Sequence, residues 1–195
     1  MNVLREYLTK NSVITNRDAK NMGIGRHILS DLANKGKIER IRPGVYQRAG
    51  EIADDFIMIS SNSKRIVFSH KTALYLHDLS NRTPNIFHIS VPQGYNASHI
   101  KKRYGNLQVR YIKKELHPIG ITDIETPLGN TVKVYDMERT ICDIILDREK
   151  MDKQIFIDGL TRYFKRTDKN LRTLIKYSRQ FNIESEIRRY VEVLL

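Results

Sequence analysis

The sequence predicts an α+β fold in two parts. Three observations carry that expectation. Short amphipathic helical segments and a basic hairpin fill the first fifty residues, alternating strand segments lie between residues 85 and 135, and helical periodicity dominates from about residue 136. The 195 residues are 40% hydrophobic and 29% charged, a globular balance rather than that of a disordered chain. The longest apolar runs are a few residues, such as Ile144-Ile145-Leu146, whereas a bilayer span requires about 20, so no transmembrane helix is expected. The segment Met1–Glu6 has an acid at its end and no apolar run, so no signal peptide is expected either. Cys142 is the single cysteine, which leaves no internal disulfide and no thiolate metal cluster. A reducing cytoplasm is the simplest location for such a chain.

Charge is unevenly spread. There are 34 Lys and Arg against 22 Asp and Glu, a formal charge of +12. Residues 1–50 hold ten basic and four acidic side chains, residues 51–161 are nearly balanced, and residues 162–195 hold nine basic and four acidic. Cationic ends of this kind attract polyanions, of which nucleic acid is the commonest, although a solvated basic surface also serves solubility.

The N-terminal elements follow in order. Val3, Leu4, Tyr7 and Leu8 recur at helical spacing over residues 2–9, and Asn11-Ser12 breaks the pattern. Thr15 stands three residues before Asp18, an arrangement that caps a helix running to about Asn21. Gly23 supplies a turn, and a third helix runs from about Gly25 to Lys35. Ile24, Ile28, Leu29 and Leu32 share one face of it, Arg26, His27, Ser30, Asp31 and Asn34 the other, and Gly36 closes it. Ile38–Arg42 and Val45–Gln47 then flank Pro43-Gly44, the signature of a type II turn in a β-hairpin. Three helices and a basic hairpin read as a winged helix-turn-helix, whose recognition helix enters the DNA major groove. Arg26 and Asn34 have the chemistry for bidentate contacts to guanine and adenine edges. Lys20, Lys35, Lys37, Arg40 and Arg42 suit phosphates. The full expected DNA-binding set is Arg17, Lys20, Arg26, His27, Ser30, Asn34, Lys35, Lys37, Arg40, Arg42 and Tyr46. A helix-turn-helix serving only protein contacts is the alternative.

The middle reads as a core with strands. Asp54–Ser61 is a helix, Arg65–Phe68 a short apolar segment, and Ser69 a cap for a helix over His70–Asp78. Asn85–Val91 and Leu107–Ile112 alternate as strands, and Ile121–Thr126 with Thr131–Tyr135 flank a turn at Pro127–Asn130. Asp136 opens a helix carrying Ile141, Ile144 and Ile145. Helices continue from Asp152, with a break near Thr167-Asp168. They carry a basic series, Arg162, Lys165, Arg166, Lys169, Arg172, Lys176 and Arg179, largely at spacings of three and four. That series is either a surface for nucleic acid or an acidic partner, or an ordinary wet helix face. The expected domains are therefore 1–49, a winged helix-turn-helix, and 50–195, a mixed α/β domain that is all-helical from about 136 and ends in a helical bundle.

Four ordered segments resemble the AbiE abortive-infection antitoxins: Arg40–Tyr46, Ala73–Pro84, Ile89–Tyr95 and Val134–Asp143. Gly25 departs from the small polar cap that members often carry before the third helix, a change an N-cap tolerates. The resemblance implies the antitoxin half of a type IV toxin–antitoxin pair acting in phage resistance. It implies a cytoplasmic autorepressor that binds inverted repeats of double-stranded DNA in its own promoter. It also implies that residues 50–195 counteract a nucleotidyltransferase-like toxin. No heptad repeat supports an obligate dimer, so a monomer binding cooperatively to paired repeats is expected.

Catalytic chemistry is not indicated. His70 and His77 lie seven residues apart, about 10 Å along a helix, too far for one zinc ion, and no third ligand follows. Cys142 sits among isoleucines, with no cation to activate it. Asp54-Asp55 and Asp123-x-Glu125 lack the lysine a metal-dependent nuclease site would bring, and no glycine-rich phosphate loop is present. The expectation is a non-enzymatic chain without metal or cofactor. A winged-helix regulator that senses a small ligand and a metal-dependent nuclease remain as alternatives.

Overall fold

The computed structural model describes residues 2–194. The chain is α+β and forms two compact units. One comprises the residues up to Ser61 together with Glu125–Thr131, and the other comprises Asn62–Ile124 and Val132 onward.

The first unit contains α1 (Asn2–Lys10), β1 (Val13–Thr15), α2 (Asn16–Asn21), α3 (Arg26–Asn34), β2 (Ile38–Arg42), β3 (Val45–Arg48) and α4 (Asp55–Ser60). Thr15 and Asp18 form a reciprocal capping box: Asp18 N donates to Thr15 Oγ1 at 3.1 Å and Thr15 N to Asp18 Oδ2 at 3.0 Å. Gly23 (φ +73°) makes the left-handed turn into α3. The three strands are ordered β1-β3-β2, antiparallel throughout. β1 is an addition to the expected hairpin, because three residues between a break and a cap carry no periodicity to read. Leu4, Leu8, Ile14, Ala19, Leu29, Leu32, Ile38 and Tyr46 form the core, closing helices and sheet over one apolar centre.

α4 is capped by Asp54, whose Oδ1 accepts from Phe56 N at 2.9 Å. The other oxygen of Asp54 accepts from Thr126 Oγ1 at 2.5 Å and from Asn130 Nδ2 at 2.8 Å. Asn130 Oδ1 in turn accepts from Ser12 N at 3.0 Å and Ser12 Oγ at 2.5 Å. Asp54-Asp55, weighed above as a metal site, is thus a helix start with a buried, fully used carboxylate at Asp54. The first unit runs past residue 49 to take in α4 and this hairpin loop.

The second unit contains β4 (Val67–Phe68), α5 (His70–Leu76), β5 (Phe87–Pro92), α6 (Ser98–Arg103) and β6 (Leu107–Ile112). They are followed by β7 (Ile121–Glu125), β8 (Thr131–Tyr135), α7 (Met137–Leu146), a 3₁₀ turn at Arg148–Lys150, α8 (Lys153–Lys165), α9 (Leu171–Gln180) and α10 (Glu184–Leu194). The five strands are ordered β6-β5-β4-β8-β7, a mixed sheet: β4 is antiparallel to β5 but parallel to β8, and β5 is parallel to β6. The loop of the β7–β8 hairpin is the Glu125–Thr131 segment counted with the first unit. Leu74, Leu79, Ile141, Ile144, Leu160, Tyr163, Leu174 and Ile187 lead the core of the C-terminal helices.

Two local expectations change. The alternation along β5 does not mark a wet face, because His88 and Ser90 are buried as well. His88 N donates to Thr72 Oγ1 at 2.7 Å, and Ser90 Oγ donates to Ser69 Oγ at 3.0 Å. Ser69 therefore spends its hydroxyl on β5 rather than on capping α5, and makes no side-chain cap hydrogen bond. α6 has no counterpart in the sequence reading, since its Ser-His-Ile-Lys-Lys-Arg run buries only Ile100.

Candidate nucleic-acid interface

α3 is amphipathic, and the core fixes which side faces out. Leu29 and Leu32 are buried, and Arg26, His27, Ser30, Asp31 and Asn34 are exposed. Arg26, Ser30 and Asn34 lie four residues apart, so they form one row along the helix. The N-cap is Gly25, and a Cβ built there would lie 2.5 Å from His27 Cε1. The imidazole of His27 is thus folded over the first turn of α3, and a larger residue at 25 would displace it.

The wing stands beside this row. Its turn carries Gly44 at φ +77°, the left-handed conformation that a type II turn requires at this position. Gly44 O accepts from Asn16 N at 2.8 Å, which ties the turn to the start of α2. An open groove of about 530 Å³ runs between α3 and the wing, lined by Ser30, Asn34, Gly36, Glu39 and Arg40 among others. Recognition helix and wing therefore share one continuous exposed surface. Arg17, Lys20, Lys35 and Lys37 are exposed around it.

Two expected interface residues are placed differently. Tyr46 is only 4% exposed and belongs to the apolar core with Leu29 and Leu32, because β3 is the central strand of its sheet and its first three residues are all buried. This corrects its assignment as a DNA contact. Arg42 is half-buried, and its guanidinium donates to Ser61 Oγ, so it braces the base of the wing. Arg48 does likewise, donating to Leu8 O and pairing with Glu51 at 3.2 Å. Arg40 is the exposed arginine of β2.

The C-terminal basic series does not form a single free stripe. Arg162 donates to Asn81 Oδ1 at 2.9 Å, and Arg166 is held bidentate by Asp168 at 2.7 and 2.8 Å. Lys169 Nζ donates to Arg166 O at 2.9 Å, and Arg179 pairs with Glu184 at 2.9 Å. Lys165, Arg172 and Lys176 are exposed. Sequence spacing showed the row of charges but not the acids that local turns fold back onto it.

His70, His77, His88 and the cysteine lie in or against the core. His70 Nε2 lies 3.2 Å from Asp147 Oδ2, its ring stacks on that of His88 with centroids 6.0 Å apart, and His77 Nε2 contacts Tyr135 O at 2.7 Å. Burial holds His88 down to about 3, so it stays neutral in the fold. Burial pushes the Cys142 thiol well up, the reverse of an activated nucleophile. Among the described residues, no group of three His, Cys, Asp or Glu is placed to hold a metal ion, and no helix is long and apolar enough to cross a membrane.

Residues 2–49 match the family described as transcriptional regulator, AbiEi antitoxin. The resemblance to the AbiE antitoxins thus holds over the winged helix, and the segments at 73–84, 89–95 and 134–143 lie outside the matched span. In fold the chain is similar to the RV2827C protein from Mycobacterium tuberculosis. That crystal structure aligns with 90% of this chain and 69% of its own at a TM-score of 0.57 and 13% sequence identity. No curated protein matches the sequence.

Proposed function

We propose, from the AbiEi regulator match over residues 2–49, that the chain is an antitoxin that represses its own promoter. In this reading it acts in the cytoplasm as a binding protein rather than an enzyme. The first unit places α3 in the major groove of an inverted repeat, with the wing on the flanking backbone. Arg26 and Asn34 read base edges, Arg40 meets phosphate across the α3–wing groove, and Arg17, Lys20, Lys35 and Lys37 add sequence-independent attraction. The observation that carries the reading is the exposed row Arg26, Ser30 and Asn34, continuous with Arg40 while the opposite face of α3 is buried. Each molecule binds one half-site as a monomer, and paired repeats bring two together. Residues 50–195 counteract a nucleotidyltransferase-like toxin of the same operon, with Lys165, Arg172, Lys176 and, paired to Glu184, Arg179 the exposed cations of its C-terminal series.

Two measurements test this. In a mobility-shift titration on the operon's own promoter, Arg26→Ala and Asn34→Ala reduce discrimination between operator and scrambled duplex. Unchanged discrimination in both variants refutes the placement of α3. In a cell-rescue assay, a chain lacking residues 1–49 still protects against the toxin if it is folded by circular dichroism. Failure of that folded protein to protect refutes the division of labour.

A further inference from the structure

The near-balance of charge in the middle of the chain hides a segregation. No Asp or Glu occurs between Asp78 and Glu115, whereas Arg82, Lys101, Lys102, Arg103, Arg110, Lys113 and Lys114 fall in that interval. The fold gathers part of this set in one place. α6 is anchored from below by Ala97 and Ile100, 1% and 0% exposed, so Lys101 and Lys102 point to solvent. β6 is an edge strand of the sheet, and its Tyr111 is 45% exposed. Lys101 Nζ lies 5.4 Å from the Tyr111 ring centroid, which puts the outer side of α6 and the tyrosine on a common surface. Tyr95 and His99 extend it, with their rings 6.4 Å apart. Lys114 closes the end, its Cε 4.0 Å from where a Cβ at Gly94 would stand. Arg110 does not contribute, since alternation turns it to the other face of the sheet, where it pairs with Asp147 at 2.6 Å.

We propose that this surface of the second unit binds single-stranded nucleic acid. Its composition selects that occupant. A duplex keeps its bases stacked inside and meets a protein surface through phosphates, so it has no use for an exposed aromatic face. An acidic protein segment needs the lysines but not the rings. A single strand uses both: its bases stack on aromatic faces while its phosphates follow the flanking cations. Tyr111 and Tyr95 offer the faces, and Lys101, Lys102 and Lys114 the charges. The ring of Tyr111 is already oriented by Lys101, which is free to move to a phosphate when a base takes its place over the ring. The site lies in the unit that does not contain the winged helix, and it stands or falls independently of promoter binding.

Fluorescence anisotropy of the full chain with labelled (dT)12 at low salt tests the proposal. The expected result is saturable binding whose logarithm falls with log salt at a slope of about −2, for three phosphate contacts on a single strand. Tyr111→Ala weakens it about tenfold, in keeping with the loss of one stacked base, and Tyr111→Phe keeps it. Lys101→Glu with Lys102→Glu abolishes it. Each variant retains wild-type affinity for promoter duplex, and Arg26→Ala retains wild-type affinity for (dT)12. Equal binding of (dT)12 by wild type and Tyr111→Ala overturns the proposal. So does displacement of (dT)12 by a twelve-residue polyglutamate at equal charge concentration, which would assign the surface to an acidic protein.

Discussion

Arg139 and Asp143 face each other one turn apart on α7, Nε to Oδ1 at 2.9 Å, and both side chains are shut away from solvent. The guanidinium is clamped between the rings of Tyr135 and Phe181, each 4.1 Å from its carbon, and its Nη1 donates to Leu116 O and Ile119 O at 2.8 and 2.9 Å. The backbone carrying those carbonyls approaches so closely that a Cβ at Gly120 would lie 2.6 Å from Arg139 Cβ. A single buried cation thereby fastens the loop before β7 to the helical core.

Removing one partner of this pair leaves a charge with nothing to offset its desolvation, so Arg139→Met is expected to cost about 3–5 kcal/mol. Arg139→Met with Asp143→Leu should recover much of that loss, because the apolar pair leaves no buried charge. Urea unfolding of the three proteins checks this. A double variant no more stable than Arg139→Met would show that the packing of the guanidinium, not its charge, matters. Gly120→Ala should be destabilising too, since φ is +77° there and Arg139 cannot withdraw.

Asn130 links three segments of the first unit through one amide, donating to Asp54 and accepting from Ser12. Asn130→Ala takes one of two donors from the buried Asp54 oxygen, which keeps Thr126 Oγ1, and deprives Ser12 N and Ser12 Oγ of their acceptor, at a cost of about 1–3 kcal/mol. The loss should be local to the ends it joins. Amide hydrogen exchange is expected to accelerate in β1 and α4 while the core of α3 keeps its protection. Uniform acceleration across the unit would show that the amide holds the fold as a whole rather than these junctions.

How far the sequence could be read follows from which interactions are local. The Thr15–Asp18 box, the Pro43-Gly44 turn and the helix opened by Asp136 are encoded within a few residues, and the structure has each of them. β1 was illegible because its only partner is β3, some thirty residues away, in the register Ile14 opposite Tyr46. The place of Tyr46 is illegible for the same reason. A tyrosine in a basic wing reads as a DNA contact until the sheet's second neighbour shows which face is covered. Among the C-terminal cations, Arg166 and Asp168 are two residues apart, yet a helical period does not bring them together; the turn between α8 and α9 does. The exposed row on α3 was legible because its counterpart, Leu29 and Leu32, repeats on the same helix.

The burial of Tyr46 has a direct consequence. Tyr46→Ala is expected to destabilise the chain by about 3–5 kcal/mol, the cost of emptying a large core position. Tyr46→Phe keeps the packing and is expected to bind promoter duplex with wild-type affinity. Loss of duplex binding by a Tyr46→Phe protein with unchanged thermal stability would return the hydroxyl to the interface.

Stability is expected to fall on mild acidification, before the carboxylates titrate. His88 is neutral in the fold, with its pKa lowered from 6.5 to about 3 by burial and, secondarily, by His70, Lys71 and Arg110, against the opposing pull of Asp147. The unfolded chain takes up this proton near pH 6.5 and the folded chain does not. Its contribution is therefore complete above that pH and shrinks as pH drops toward 3, by about 1.4 kcal/mol per unit once titration of the unfolded state is complete. Burial lowers His77 and His117 as well, so they add in the same direction. Denaturation midpoints at pH 7, 6 and 5 should decline, and His88→Phe should flatten the decline. An unchanged slope in that variant would place the titration elsewhere.

Promoter binding should divide the cations of the first unit by what they touch. Arg40 is exposed on β2 at the edge of the α3–wing groove and is the cation proposed above to meet phosphate. Arg40→Ala is expected to weaken operator and scrambled duplex alike and to reduce the salt slope by about one. Arg42 is braced against Ser61, so Arg42→Ala should act through the wing's stability and leave the slope unchanged. Arg26 and Asn34 lie in the row expected to meet base edges, where losing a bidentate contact costs about 1–3 kcal/mol against the operator alone. Mobility shifts at two salt concentrations on both duplexes separate these cases. Identical losses on operator and scrambled DNA for Arg26→Ala and Asn34→Ala would mean that α3 lies along the backbone instead of in the groove.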